Sequence, residues 1–345
     1  MALDEALCER KITHHKDPIV SHDVRVELLM GLKKKQKAIA PKYFYDTHGS
    51  ELFEQITQQP EYYPTRTEKR LLQQHSVDIA ATLGADCVLI EPGSGSSEKI
   101  ELLLPAVRPN AYVPIEISEA PLHAAAKRLS SSFPWLQIHA VCADYTNGVS
   151  LPEELLDERR VLFYPGSTIG NFEPLQAVHF LQRLRKLCSH DGGLLIGVDL
   201  QKDPDMLHAA YNDASGITAA FNLNALRHIN RVADANFDTS AFVHQALYNS
   251  EAGRIEMYLQ SVRQQRVIIA GECVEFAANE RILTEYSYKY TIPSFRQIAA
   301  AAGFKTGQYW TDPEQLFSLH YFTLATAYPG PDVLPRKQCE RLPHR

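Results

Sequence analysis

The chain of 345 residues contains no apolar stretch near the roughly 20 residues that span a bilayer, so no membrane-spanning helix is expected. The basic-then-apolar order of a secretory leader is missing as well, because Asp4, Glu5 and Glu9 come early. Six cysteines stand at positions 8, 87, 142, 188, 273 and 339 without a Cys-x-x-Cys pair, a spacing that suits neither a zinc site nor a disulfide framework. Cys87 and Cys142 sit inside strand-like runs and read as core thiols, so a reducing compartment, the cytoplasm, is expected. The fourteen histidines show no His-x-x-x-His spacing, and the adjacent His14 and His15 would point apart on any helix; no metal is expected. Basic surplus is lacking too. A net charge of −6 argues against a nucleic-acid partner, and Lys33, Lys34, Lys35 and Lys37 read as a solvated helix end. There is no repeat and no low-complexity tract.

What the chain does have is a strand, a turn and a helix start. Val88, Leu89 and Ile90 are consecutively apolar, as in a buried parallel strand, and lead through Glu91 and Pro92 into Gly93-Ser94-Gly95. Glycines there let the backbone turn sharply and lie close to a ligand, and Ser96 or Ser97 can cap the following helix. A dinucleotide fingerprint needs a third glycine where Glu98 stands, and the Gly-Lys-Ser/Thr of a P-loop is absent. An acid before the turn suits an amine-bearing cofactor without phosphate, such as S-adenosylmethionine (SAM). The runs 112–116 and 137–144 read as two further strands ending in Glu116 and Asp144. The first is spaced to bind ribose hydroxyls and the second to accept from an adenine amino group. One acid at a strand end is ordinarily a cap; three at successive ends converge on one crevice.

Strands and helices alternate from residue 67 through strands at 161–164 and 192–200, with helices at 67–83 and 175–188, which predicts a doubly wound parallel α/β sheet. The loop 165–172 falls on the same edge as the glycine turn. After Lys202 the pattern changes to helices at 205–212 and 218–232. Strand-like runs follow at 242–248, 255–262, 266–269 and 285–290, an inserted antiparallel α+β unit. A helix at 294–302 and strands at 304–310 and 318–326 close the sheet. Residues 1–20 read as a loosely held lead-in, 22–32 as a short helix, and 329–345 as a disordered tail. The aromatics at 43–45, 53, 62 and 63, in non-periodic sequence, either line a substrate pocket or cover a core edge.

Eight segments in order resemble the histidine Nα-methyltransferase family of ergothioneine biosynthesis: PKYFYDTHGSELFEQI (41–56), PEYYPTRTE (60–68), EPGSGSSEK (91–99), YPGSTIGNF (164–172), AAYNDASGITAAFN (209–222), GRIEMYL (253–259), TEYSYKY (284–290) and WTDPEQLF (310–317). The resemblance runs from about Lys42 to Phe322. It implies a Rossmann-like class I SAM methyltransferase sheet with an inserted substrate-binding domain. The boundaries would be 66–202 with 290–328 for SAM, and 13–65 with 203–289 for substrate. It implies trimethylation of the α-amine of L-histidine to hercynine, with S-adenosylhomocysteine as by-product; a monomer is expected. Tyr62, Glu285 and Ser287 would hold the imidazole, Asn171 and Tyr211 the carboxylate, and Tyr45 and Gly166 would flank the amine. Phe53, Thr218 and Met257 would shape the pocket, and Gly93, Lys99, Glu116 and Asp144 would bind SAM. Of these, Tyr45, Gly166 and Asn171 would stand nearest the chemistry. Pro92 stands where some members of the family would carry leucine, and Glu116 where aspartate is frequent, a change expected to alter reach but not role.

A neutral imidazole offers one donor and one acceptor, so its recognition needs an acceptor such as Glu285 and a donor such as Ser287 or Tyr62. By pattern alone, Glu285 and Ser287 are two side chains on one face of an exposed strand. Methylation of another aromatic amino acid such as tryptophan, a non-catalytic SAM-binding module, and a nicotinamide oxidoreductase are the rival readings; Glu98 disfavours the last.

Overall fold

The structure, a computed structural model, describes residues 11–17, 23–146 and 148–325. The expected tail from Pro329 and most of the expected lead-in lie outside these residues. The strands in chain order are β1 (Ile12–Lys16), β2 (Lys37–Ala38), β3 (Cys87–Pro92), β4 (Ala111–Glu116), β5 (Gln137–Cys142), β6 (Arg159–Tyr164) and β7 (Gly193–Asp199). Then follow β8 (Phe242–Asn249), β9 (Arg254–Ser261), β10 (Gln265–Ile269), β11 (Glu272–Phe276), β12 (Arg281–Tyr288), β13 (Phe304–Thr311) and β14 (Phe317–Leu324).

One eight-stranded sheet runs β1-β5-β4-β3-β6-β7-β14-β13. Its first six strands are parallel, and β14 lies antiparallel to both β7 and β13. Strand order reverses between β3 and β6, the switch point at which doubly wound sheets open a crevice beyond their carboxyl ends. In β3, Val88 and Ile90 pack into one core layer while Leu89 packs into the layer on the opposite face. Burial on both faces is why this strand is continuously apolar.

The expected antiparallel unit is a four-stranded sheet, β2-β12-β9-β8, in which β12, β9 and β8 are antiparallel and the two-residue β2 runs parallel to β12, beside the hairpin β10-β11. Its own core joins Phe221, Leu226, Ile255, Met257, Leu259 and Phe276. Among the described residues no helix is long and apolar enough to cross a membrane.

Several local expectations change. Residues 12–16 are not a loose lead-in: β1 pairs with β5 along five residues, from Ile12↔Ile138 to Lys16↔Cys142. It is held by backbone pairing at a sheet edge, so its side chains need no clean apolar alternation. The aromatic segment is partly helical, Thr47–Gln58, started by Asp46, whose carboxylate accepts from the Gly49 amide at 2.7 Å. The helix expected from Thr67 to Leu83 is two helices, Tyr63–Gln74 and Ser76–Leu83, with Pro64 in the first turn and a break at His75. Neither candidate serine caps the helix after the glycine turn through its side chain. Ser97 sits in the left-handed region (φ 56°) and its hydroxyl instead donates to the Tyr112 phenol oxygen at 3.1 Å, the Tyr112 proton going to Glu91. That helix is also broken into two short turns, Glu98–Glu101 and Leu104–Val107.

Gly197 on β7 faces the buried carboxylate of Glu68: a Cβ added there would fall 2.0 Å from Glu68 Oε1 and 3.0 Å from Phe317 Cε1. Gly197→Ala is therefore expected to cost about 1–3 kcal/mol in a thermal or urea unfolding curve, because neither neighbour is free to retreat. An unchanged midpoint would contradict this packing.

Candidate active site

The carboxyl edge of the large sheet carries two adjoining subsites. At the first, Gly93 and Gly95 both take positive φ (70° and 51°). The Gly93 and Ser94 amides both donate to Ile115 O, at 2.8 and 3.2 Å. A Cβ on Gly93 would meet Tyr145 Oη at 3.0 Å, while Gly95 has open space before it. Glu116, at the end of β4, accepts from the Gly95 amide (3.1 Å) and the Ile117 amide (2.9 Å). Asp144, just past β5, accepts from the amide and hydroxyl of Thr146 at 3.0 and 2.6 Å. Glu91 is nearly sealed at 2% exposure, with Tyr112 donating to it; burial pushes its carboxyl up to about 8, against the pull of Tyr112 and Lys99. The Ser94 hydroxyl is buried without a protein partner. An open glycine turn, an orphaned hydroxyl and two strand-end carboxylates are a donor and acceptor set that fits the amino-acid and ribose groups of SAM.

The second subsite is a pocket that brings together ten of the fourteen sequence candidates: Tyr45, Phe53, Tyr62, Gly166, Asn171, Tyr211, Thr218, Met257, Glu285 and Ser287. The other four, Gly93, Lys99, Glu116 and Asp144, lie on the glycine-turn side. Aromatic rings wall the pocket: Tyr45, Phe53, Tyr62 and Phe221 meet with ring centroids 5.7–6.4 Å apart. Tyr43, Phe44 and Tyr63 point into the interior, so the aromatic segment divides between pocket and core.

Across the pocket, Asn171 Nδ2 donates to Glu285 Oε2 at 3.2 Å, and the Tyr211 and Ser287 hydroxyls are 2.9 Å apart. Burial pushes the Glu285 carboxyl up to about 7, with the Lys289 ammonium restraining the rise.

Sequence reasoning missed three groups that support this pocket. Lys289 lies two residues beyond Ser287 and four beyond Glu285, a period-two spacing that was itself a signal. Asp199, 1% exposed at the end of β7, accepts from the Tyr63 hydroxyl at 2.8 Å and pairs with Lys202 at 2.6 Å and Lys289 at 2.8 Å. Burial works to raise the Asp199 carboxyl, but the two ammonium groups outweigh it and the net shift is downward. Burial pushes Lys202 down to about 8 even so. Glu68, fully buried, accepts from the Gly166 amide at 2.9 and 3.0 Å and pairs with Lys99 at 2.7 Å. Lys99 therefore joins the glycine-turn side to the pocket loop.

Away from the pocket, on the two outermost strands, His15 Nε2 and His139 Nδ1 lie 3.3 Å apart, with Glu154 3.6 Å from His139.

The sheet order with its antiparallel β14, the glycine turn and the strand-end carboxylates define a SAM-dependent methyltransferase. Residues 24–324 match the family described as histidine-specific methyltransferase, SAM-dependent. The chain is 41% identical over 302 residues to the histidine N-alpha-methyltransferase of Mycolicibacterium smegmatis, covering 86% of this chain and 93% of that protein. The same figures hold for the histidine N-alpha-methyltransferase of Mycobacterium tuberculosis. Ergothioneine biosynthesis protein 1 of Neurospora crassa is 30% identical over 77% of this chain, which spans 31% of that protein. The chain belongs to the histidine-specific, SAM-dependent methyltransferase family.

A carboxyl raised by folding disfavours the folded state wherever it must ionise. Stability contributed below its ordinary value near 4.5 is lost as pH climbs through about 7. Glu285→Gln removes that cost, so it is expected to raise the melting temperature at pH 8 and not at pH 4. The gain should be on the order of 1–2 kcal/mol, solvent in the pocket screening the rest. Equal changes at both pH values would contradict the raised carboxyl.

Proposed function

We propose that the protein transfers methyl groups from SAM to the α-amine of L-histidine, three times, giving hercynine. The observation that carries this reading is the half-buried Glu285 carboxylate in one pocket lining with the Tyr62, Tyr211 and Ser287 hydroxyls. A carboxylate acceptor and hydroxyl donors in one lining are the partner types that the two nitrogens of a neutral imidazole require. A phenyl side chain would leave them unpaired and desolvated, and an indole, which offers no acceptor nitrogen, would leave the donors so.

In this reading Tyr62, Glu285 and Ser287 bind the imidazole, Asn171 and Tyr211 the carboxylate, and Phe53, Thr218 and Met257 set the shape. Gly93, Lys99, Glu116 and Asp144 hold SAM, which supplies an electrophilic methyl on a sulfonium leaving group. Tyr45 and Gly166 flank the amine and align its lone pair, with water excluded by the aromatic wall. Desolvation, followed by the charge of Glu285, raises the Tyr45 phenol above its ordinary value. Tyr45 thus stays protonated near neutrality and orients the amine, and the amine proton passes to water at the pocket mouth. Aromatic faces also suit the quaternary ammonium product.

Segments 66–202 and 290–328 would serve the cofactor and 13–65 with 203–289 the substrate, β1 excepted because it belongs to the large sheet. We take the working unit to be a single cytoplasmic chain acting on a small molecule, without nucleic acid, membrane or metal; the net charge of −6 supports the exclusion of nucleic acid.

Purified protein incubated with SAM and each of the twenty amino acids is expected to add three methyl groups to histidine alone, read by product mass. Methylation of tryptophan or tyrosine instead would keep the fold and cofactor but overturn the roles of Glu285 and Ser287. No product at all, alongside SAM binding, would favour a non-catalytic module. Glu285→Ala is expected to lower kcat/KM for histidine by about 100-fold or more, because an imidazole N–H loses its acceptor. Undiminished affinity would remove Glu285 from the recognition scheme.

A further inference from the structure

Lys289 is 2% exposed, yet it lies beside the pocket and has no part in the transfer scheme above. Its ammonium carries three N–H donors and meets three oxygens: Asp199 Oδ2, Tyr211 Oη and Ser287 Oγ, each at 2.8 Å. An ammonium accepts nothing, so both hydroxyl oxygens must accept from it and their own protons point elsewhere. The two hydroxyls stand 2.9 Å apart. One of their protons bridges them and the other is left for the pocket.

We propose that Lys289 is a positioning and specificity-determining residue: by donating to both hydroxyls it sets the Tyr211–Ser287 pair so that one hydroxyl proton is presented to the substrate, and its positive charge selects a ligand bearing a carboxylate over the same imidazole ethylamine without one. This rests on the histidine reading.

The charges around it support that polarity. Lys202 and Lys289 both pair with Asp199, with the Asp312 carboxylate also acting on Lys202, so Lys289 is the ammonium in the pocket lining, while Glu285 is a carboxylate of the same lining. Tyr63 donates to Asp199 on the far side. A ligand with a carboxylate at one end and an imidazole N–H at the other lies along this field. The hydroxyls of Tyr45 and Tyr62 complete the set facing Glu285, and Tyr248 stands near Lys289. Lys289 also holds the Glu285 carboxyl below the value that burial alone would impose.

The test compares dissociation constants for L-histidine and histamine, and the acid limb of kcat/KM against pH, in wild type and Lys289→Met. A second variant, Lys289→Met with Asp199→Asn, strands no buried carboxylate should the single change fail to fold. Wild type is expected to prefer histidine over histamine. Either variant should weaken histidine by about tenfold or more while leaving histamine within a factor of two or three, and should move the acid limb to higher pH. Equal weakening of both ligands with an unmoved limb would reduce Lys289 to a structural part and overturn the proposal. A wild type that does not act on histidine would instead overturn the reading beneath it. The two failures are distinct.

Discussion

Asp199 is the charge on which the pocket depends. A carboxylate 1% exposed at the end of a buried strand persists only when its oxygens are filled, and here Tyr63, Lys202 and Lys289 fill them. Each partner comes from a different part of the chain. Tyr63 opens a helix packed on the large sheet, Lys202 follows β7, and Lys289 ends the β12 arm of the small sheet. The backbone repeats the junction: Tyr290 N donates to Asp199 O at 3.0 Å, and Gln201 N to Tyr290 O at 2.9 Å. One buried ion cluster thus locks the two sheets in register, and the pocket is the space they leave. Removing a single partner would strand charge in the interior, so the cluster is fixed as a unit.

Glu68 performs a similar task on the cofactor side. Its two oxygens accept the same Gly166 amide and pair with Lys99, so the loop after β6 and the first turn after the glycine motif are tied through one buried carboxylate. The next residue, Ser167, adds a second tie through its Oγ, which accepts from the Asp199 amide at 2.9 Å. Gly170 lies so close to β12 that a Cβ would stand 2.7 Å from Tyr288 O. The atoms between which a methyl group would travel are therefore set by backbone held on both sides. That suits a reaction in which alignment supplies most of the rate.

The central sheet was legible because its strands are buried on both faces and read as unbroken apolar runs, as in Val88 to Ile90 or Val161 to Tyr164. The inserted unit was legible from its alternation. β1 was not, because an edge strand of Ile-Thr-His-His-Lys is held by the ladder with β5 and buries little. β11 escaped for a related reason: only Val274 and Phe276 of its five residues are buried. Residues 47–58 hid their helix behind polar residues and Gly49, and its start rests on the Asp46 cap. The site candidates came chiefly from motif resemblance, and the pocket gathers ten of them. Asp199, Lys289 and Glu68 were passed over because single charges in apolar sequence carry no local mark of their partners, which lie 90 or more residues away for the Asp199–Lys289 pair.

The histidine reading is most directly tested by a crystal structure of the protein with L-histidine and S-adenosylhomocysteine bound. The account predicts one imidazole nitrogen within hydrogen-bond distance of Glu285, the other facing the hydroxyls, and the carboxylate against Asn171 and Tyr211. The α-amine would then point between Tyr45 and Gly166 toward the sulfur. An imidazole directed away from Glu285, or a carboxylate seated against it, would contradict the account.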